Sequence, residues 1–194
     1  MGNRGGPISD IPDRKQYSSV HWIYCKLAFN GRQFTFRNPG RKYTELFFFD
    51  EGVALAAGHR PCGQCQYQRL GEYKAAAFDR TVFVEEVDAV LHRERTELVY
   101  AEVASLPAGT FVQHEGADLL LWSGAAFLWE PSRGYSEVAL PAASARVRVY
   151  TPQLTRRALA AGFAVHPRLD LGRVSDPGIE VLTQSPVAPQ KVRR

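Results

Sequence analysis

A chain of 194 residues, 45% hydrophobic and 23% charged, is long enough to bury a core without disulfide staples, and its composition is globular and not disordered. No apolar run approaches the roughly 18 residues of a membrane span, and the opening MGNRGGPISD lacks the apolar stretch of a secretory signal. Three cysteines, an odd number, do not make an extracellular disulfide framework, so reduced thiols and a cytoplasmic location are expected. The net charge of +4 permits nucleic-acid binding without demanding it.

Residues 1–19 are rich in Gly, Pro, Asp and Arg, carry no apolar period and read as an arm or loop. Alternatively, the glycines around Arg4 fold over a site and offer backbone donors to an anion. Residues 19–37 predict a β-hairpin about Asn30-Gly31, the strongest two-residue hairpin signal. Pairing about that turn sets Leu27 opposite Phe34 and Cys25 opposite Phe36. Ile23, Cys25 and Leu27 are then expected on one inward, apolar face. Residues 45–49 predict a short aromatic strand. Asp50 is placed to cap a helix through Ala57, with Gly58 as its stop.

A tight turn over 59–65 leads to a helix over 66–79, with Leu70, Tyr73, Ala77 and Phe78 on one side. A further helix over 84–97 turns Val87, Val90 and Leu91 to the core. From 99 to 139, short strands broken at 115–118, 123–124 and 131–134 predict an antiparallel β-meander, and 146–150 adds a strand. Trp122, Trp129 and Tyr135 either stack on a base or ring or fill the sheet's interior. Thr151-Pro152 opens a final helix that Gly162 ends. From 168 on, aperiodic Pro, Ser, Gln and charge predict a flexible tail. The expected class is α+β: an arm (1–19), a cysteine-bearing half (20–98), a meander-and-helix half packed in the same domain (99–167), and the tail (168–194).

Cys62-Gly-Gln-Cys65 admits three chemistries: a zinc knuckle, a redox pair activated at a helix start, or plain packing. Cys25, on a strand expected to neighbour the one leading into the knuckle, moves the balance to Zn2+ held by Cys25, Cys62 and Cys65. The fourth ligand stays open among His59, His92 and a water. A histidine makes a structural site and a water a catalytic one. His21 is about 13 Å from Cys25 along an unbroken strand, too far to share an ion with it. His92-Arg93-Glu94 and the Pro61–Cys65 run also spell, in reversed order, the HxE and PCxxC halves of a zinc deaminase signature. That spelling offers Glu94 as a general base.

The run FFFDEGVALAAGHRPCGQC resembles the metal-binding domain of the Ada DNA-repair protein, over about residues 20–70. Cys62 and Cys65 match two zinc ligands of that domain's knuckle, Arg60 and Pro61 match its Arg-Pro, and His59 stands where the family has an aromatic residue. The resemblance implies that Cys25 is both a zinc ligand and the acceptor of a methyl group from DNA phosphotriesters. The family's second upstream cysteine falls at Phe29 and is missing. More broadly, the chain is similar to a group of bacterial proteins of unknown function. The similarity rests on Gly-Asn-Arg-Gly at 2–5, Tyr-Thr-Glu-Leu-Phe-Phe at 43–48, the knuckle, Leu-His-x-Glu-Arg at 91–95 and a Thr-Pro helix followed by His-Pro. It implies no activity.

Charge is unevenly spread. Residues 1–80 hold 12 basic and 7 acidic side chains, whereas 81–167 hold 7 and 10. The cysteine half is the basic one, so Arg4, Arg37, Arg41, Arg60 and Arg69 are candidate phosphate contacts, unless such arginines only protect strand edges. The expected function is a zinc-binding protein that contacts DNA or RNA, in repair or modification. A zinc-dependent hydrolase or deaminase-like enzyme on a nucleotide or small molecule, and a binding module with structural zinc, are the alternatives.

Overall fold

Turn chemistry sets the strand pairing. The computed structural model describes residues 2–3, 17, 19–33 and 46–172. It includes β1 (Gly2–Asn3), β2 (Ile23–Tyr24), β3 (Ala28–Phe29) and β4 (Arg32–Gln33). β3 and β4 form the expected hairpin, with Ala28 opposite Gln33 and Phe29 opposite Arg32. Asn30 and Gly31 both have positive φ, 50° and 72°, as a two-residue hairpin turn matching the strand twist requires. Positive φ recurs at Glu115-Gly116 (49° and 83°) and Ser123-Gly124 (50° and 77°). These turns join β7 (Thr110–His114), β8 (Ala117–Trp122) and β9 (Ala125–Glu130) into the meander.

β10 (Gly134–Val138) pairs with β9 to extend the meander. β11 (Arg146–Val149) then crosses back between β7 and β6 (Val99–Glu102), giving the order β10-β9-β8-β7-β11-β6, with every pair antiparallel. Both faces are covered. Val112, Leu119, Leu121 and Val147 share one cluster, and Phe111, Leu120 and Tyr135 share the other with Phe49 and Val53. That is why Leu119-Leu120-Leu121 runs apolar without alternation. Gly134 (φ 78°) meets the Phe49 ring, which would lie 2.8 Å from an added Cβ. Gly134→Ala is therefore expected to cost about 2–4 kcal/mol from left-handed backbone and overpacking together, read as a shifted urea midpoint.

The helices are α1 (Glu51–Ala56), α2 (Tyr67–Ala77), α3 (Val84–Glu94) and α4 (Gln153–Ala160). Asp50 caps α1 as expected, its Oδ1 accepting from the Val53 N–H at 2.9 Å. Its Oδ2 accepts from the Tyr135 hydroxyl (2.8 Å) and the Arg168 N–H (3.1 Å), tying the meander and the chain after α4 to α1. Leu55 (α1), Tyr73 (α2), Val87 and Leu91 (α3) and Leu154 and Ala158 (α4) form one buried cluster with Tyr24. Helices from both halves of the chain thus close a single core, and the class is α+β. No helix among the described residues is long and apolar enough to cross a membrane.

Several expectations are corrected. Gly2–Asn3 is not loose: it pairs with Ile23–Tyr24, and Gly2 bridges Leu46. The aromatic strand reduces to that bridge among its described residues. Trp22 (8% exposed), just before β2, and Tyr24 (6%) within it are buried, while Leu27 is 57% exposed. The expected inward set is one residue out of phase, because β2 is only two residues long and its neighbours β1 and β5 (Arg60–Pro61) select the face. α3 ends at Glu94, three residues early. A 3-10 turn at Leu169–Gly172 packs on β10, so the aperiodic segment does not leave the fold at 168. Phe34, Phe36 and residues 173–194 lie outside the described residues.

Candidate metal centre and adjoining groove

Two residues of parallel pairing bring the cysteines together. β2 lies beside β5 with Ile23 opposite Arg60 and Tyr24 opposite Pro61. The next residue on each strand is a cysteine, Cys25 beside Cys62. The Cys62 N–H donates to the Tyr24 carbonyl at 3.0 Å. From Cys62 the chain turns through Gly63-Gln64 to Cys65 and enters α2. Gln66 stitches the turn: its N–H reaches the Cys62 carbonyl (3.0 Å) and its Nε2 the Tyr24 carbonyl (2.8 Å). The three sulfurs lie within 4.8 Å of one another. Cys62 and Cys65 are 8% and 9% exposed, and Cys25 is half-buried.

The surroundings suit thiolates. The Lys26 N–H donates to Cys65 Sγ (3.3 Å) and the Gln64 N–H to Cys62 Sγ (3.4 Å). The Cys25 thiol bonded to Cys62, helped by N–H groups of Cys65 and Gln64, brings Cys62 down to about 5 against the opposing effect of burial. The same bond and burial push Cys25 well above the thiol range, and burial raises Cys65. The cluster therefore favours one thiolate that accepts a hydrogen bond from a neighbouring thiol. A soft divalent cation would replace such protons, and three sulfur donors on a knuckle fit zinc better than a hard, oxygen-seeking ion.

Behind the knuckle stands an ion pair that sequence reading did not single out. Asp88 on α3 is fully buried. It accepts from Arg60 Nε (2.7 Å) and Nη2 (2.8 Å) and lies 2.7 Å from His21 Nδ1. The available signal was its position, since Val84, Val87, Asp88 and Leu91 follow the spacing of one helical face. Arg60 thus fixes β5 to α3 two residues before Cys62.

The other candidate residues lie elsewhere. His92 packs edge-on against Tyr17, ring centroids 5.1 Å apart, and among the described residues no histidine belongs to the cysteine group. His59 is fully buried between the rings of Trp22 and Phe48, at 5.1 and 4.7 Å. Glu94 Oε2 accepts from the Leu154 N–H at 2.8 Å, so it caps α4 and does not join the cysteines. Thr151, expected to do that capping, instead accepts from the Phe111 N–H on β7 (2.8 Å). Glu94→Ala is expected to cost about 1 kcal/mol, the usual loss of an N-cap acceptor, with metal content unchanged by elemental analysis. A base acting beside the cysteines would leave stability intact and remove activity.

Arg60 and Arg69 are both held internally. Arg69 binds Glu51 through Nη2 (2.7 Å) and Nε (2.9 Å), Glu72 at 3.2 Å and the Ala164 carbonyl, with its guanidinium 3.8 Å over Phe163. Arg4, Arg37 and Arg41 lie outside the described residues. A groove of about 690 Å³ runs past the knuckle at Gly63, lined also by His21, Tyr67, Lys74 and Phe83. Tyr67 and Phe83 are 78% and 84% exposed.

Fold and site together define an α+β protein with a three-cysteine candidate metal centre beside an open groove. No family model, curated protein or solved structure matches the chain.

Proposed function

We propose that the chain is a zinc-binding protein in which Cys25, Cys62 and Cys65 hold the ion and the groove beside the knuckle receives nucleic acid. The observation that carries the metal reading is the approach of three thiols within 4.8 Å on a turn whose N–H groups donate to two of the sulfurs. Bound there, zinc cross-links the β2–β5 pair to the start of α2. Exposed Tyr67 and Phe83 beside Lys74 supply stacking faces and a phosphate contact. The resemblance to the Ada metal domain points to DNA as the partner. Glu94 is engaged as a helix cap, so the deaminase-like alternative lacks its base.

Protein purified under reducing conditions is expected to carry one zinc per chain, and cobalt substitution to give thiolate-to-metal absorption. A metal-free reduced protein that takes up neither ion refutes the reading. In fluorescence anisotropy with a labelled single-stranded oligonucleotide, Tyr67→Ala is expected to weaken binding about tenfold, as loss of one stacked base does. Lys74→Ala is expected to lower the salt slope by about 1.

The resemblance to the Ada metal domain supports one finer form at Cys25, a half-buried residue where Cys62 and Cys65 are buried. Its proton passes to solvent, and its sulfur attacks the methyl carbon of a phosphate methyl ester. The S–C bond forms as the C–O bond breaks, and the phosphodiester leaves with the electron pair. Peptide mass spectrometry after exposure to methylphosphotriester DNA reads this directly. An unmodified Cys25 refutes methyl transfer while leaving zinc and DNA binding standing.

A further inference from the structure

Among the described residues, the groove beside the knuckle is lined by a single histidine, His21, two residues before β2. Its ring meets two different environments. Nδ1 lies 2.7 Å from Oδ2 of Asp88, whose side chain is 1% exposed, while the His21 side chain is 54% exposed. The two nitrogens of an imidazole point away from each other across the ring. With Nδ1 turned inward to Asp88, Nε2 lies on the solvent side, where His21 borders the groove. No hydrogen bond to Nε2 forms among the described residues.

The buried carboxylate fixes which nitrogen carries the proton. Asp88 accepts from Arg60 Nε at Oδ1 (2.7 Å) and from Arg60 Nη2 at Oδ2 (2.8 Å). A carboxylate paired with a guanidinium is an anion and only accepts. Its third partner must therefore donate, which puts the imidazole proton on Nδ1 and leaves the lone pair on Nε2. Arg60 already engages both oxygens of Asp88, so the ion pair is complete without the histidine. The Ser19 Oγ accepts from the His21 N–H at 3.2 Å and steadies the backbone that carries the ring. A histidine oriented through Nδ1 by a buried carboxylate, with Nε2 open to a cleft, is the arrangement of a general base.

We infer that His21 is the general base of an RNA-cleaving reaction in the groove, an inference that rests on the nucleic-acid reading of that groove. The other lining groups select the substrate. Ser19 is bonded to the His21 backbone and not to its ring, and the lining contains no Thr or Cys. The protein thus presents a base without a nucleophile aligned to it. RNA brings its own, the 2′-hydroxyl beside each phosphorus, which DNA lacks. His21 Nε2 takes the 2′-hydroxyl proton, and the O2′–P bond forms as the P–O5′ bond breaks. The 5′-oxygen leaves with the electron pair and takes a proton from water, and His21 returns its proton to solvent. The products are a 2′,3′-cyclic phosphate and a free 5′-hydroxyl, with no co-reactant consumed. Lys74 offers a cation to the charge gathering on the phosphoryl oxygens, and exposed Tyr67 and Phe83 offer stacking faces to the flanking bases. Glu85, the acidic side chain of the lining, is exposed, so water and salt screen its charge.

The zinc-loaded protein is incubated with a labelled single-stranded oligodeoxynucleotide containing one ribonucleotide, and with the all-deoxy strand of the same sequence. The first is expected to be cut 3′ of the ribonucleotide, with the cyclic phosphate seen by mass spectrometry, and the second to stay whole. His21→Ala is expected to slow cleavage at least 100-fold, the contribution of one general base. Added imidazole is expected to restore part of that rate and to leave the wild-type rate unchanged, which a histidine of purely structural role would not show. Asp88 is a positioning residue. Asp88→Asn, assayed on samples with a cooperative thermal transition, is expected to lower kcat and leave KM. Anisotropy with the all-deoxy strand separates loss of cleavage from loss of binding. Binding of both strands without cleavage overturns the inference and leaves the groove as a nucleic-acid site, whereas binding of neither overturns both. Equal cutting of the all-deoxy strand overturns the inference, and so does a His21→Ala protein that cuts as fast as the wild type.

Discussion

Asp88→Ala is expected to destabilise the protein by about 3–5 kcal/mol, the cost of leaving one partner of a buried ion pair alone. For a chain of this length that lowers Tm by roughly 10 °C. Asp88 is fully buried, and the Arg60 side chain is 8% exposed, so the guanidinium cannot turn to water without moving β5. His21, 54% exposed, re-solvates at little cost. Replacing both partners by apolar residues, Arg60→Met with Asp88→Leu, is expected to recover most of the loss, because the penalty comes from the orphaned charge and not from the missing attraction. Urea unfolding of the single and double variants checks both statements. A double variant as unstable as Asp88→Ala would mean that the pair's geometry, not its charge balance, supports β5.

If zinc sits at the three cysteines as proposed, its loss is the second large effect. Cys62→Ser and Cys65→Ser are each expected to abolish zinc retention and to lower Tm by about 10 °C, since bound metal contributes directly to folding free energy. Excess zinc chelator is expected to bring the wild type down to the same melting temperature and to leave the serine variants where they are. The local reason is that Cys62 and Cys65 join β5 to α2 over a four-residue turn. Among the described residues that corner is otherwise tied to the β2 segment by hydrogen bonds alone, among them Cys62 N–H to the Tyr24 carbonyl, Gln66 Nε2 to the same carbonyl and Lys26 N–H to Cys65 Sγ. Cys25→Ser keeps two thiol ligands and is expected to weaken zinc without abolishing it. Differential scanning fluorimetry with elemental analysis of the same samples reads both quantities. A chelator that removes zinc and leaves Tm unchanged would show that the ion does not brace the fold.

Asp88 and the cysteines sit at opposite ends of β5 and act on the same two-residue pairing. Asp88→Ala is therefore expected to weaken zinc retention as well.

What was legible in the residues alone is what acts over a few positions. Asn30-Gly31 specified its hairpin because Asn and Gly readily take the two positive φ values of a tight two-residue turn that matches the strand twist. Asp50 specified the start of α1 because its carboxylate reaches the Val53 N–H from three residues away. The short spacing of Cys62 and Cys65 marked them as a pair in the same way. Tertiary structure decided the rest. Cys25 joins the pair because β1, β2 and β5 assemble across the chain, and that assembly overrode the phase of its own short strand. Glu94 caps a helix that begins about sixty residues later, where Thr151 was the local choice but is held by β7. Asp88 falls on the apolar face of α3, and only the packing of β5 against that helix supplies the Arg60 guanidinium that its buried carboxylate needs. A cavity between Trp22 and Trp129 exists only because the meander packs on α1. Caps and turns are settled by bonds within reach of their own residue, whereas a site built from several segments depends on which surfaces the whole core brings together.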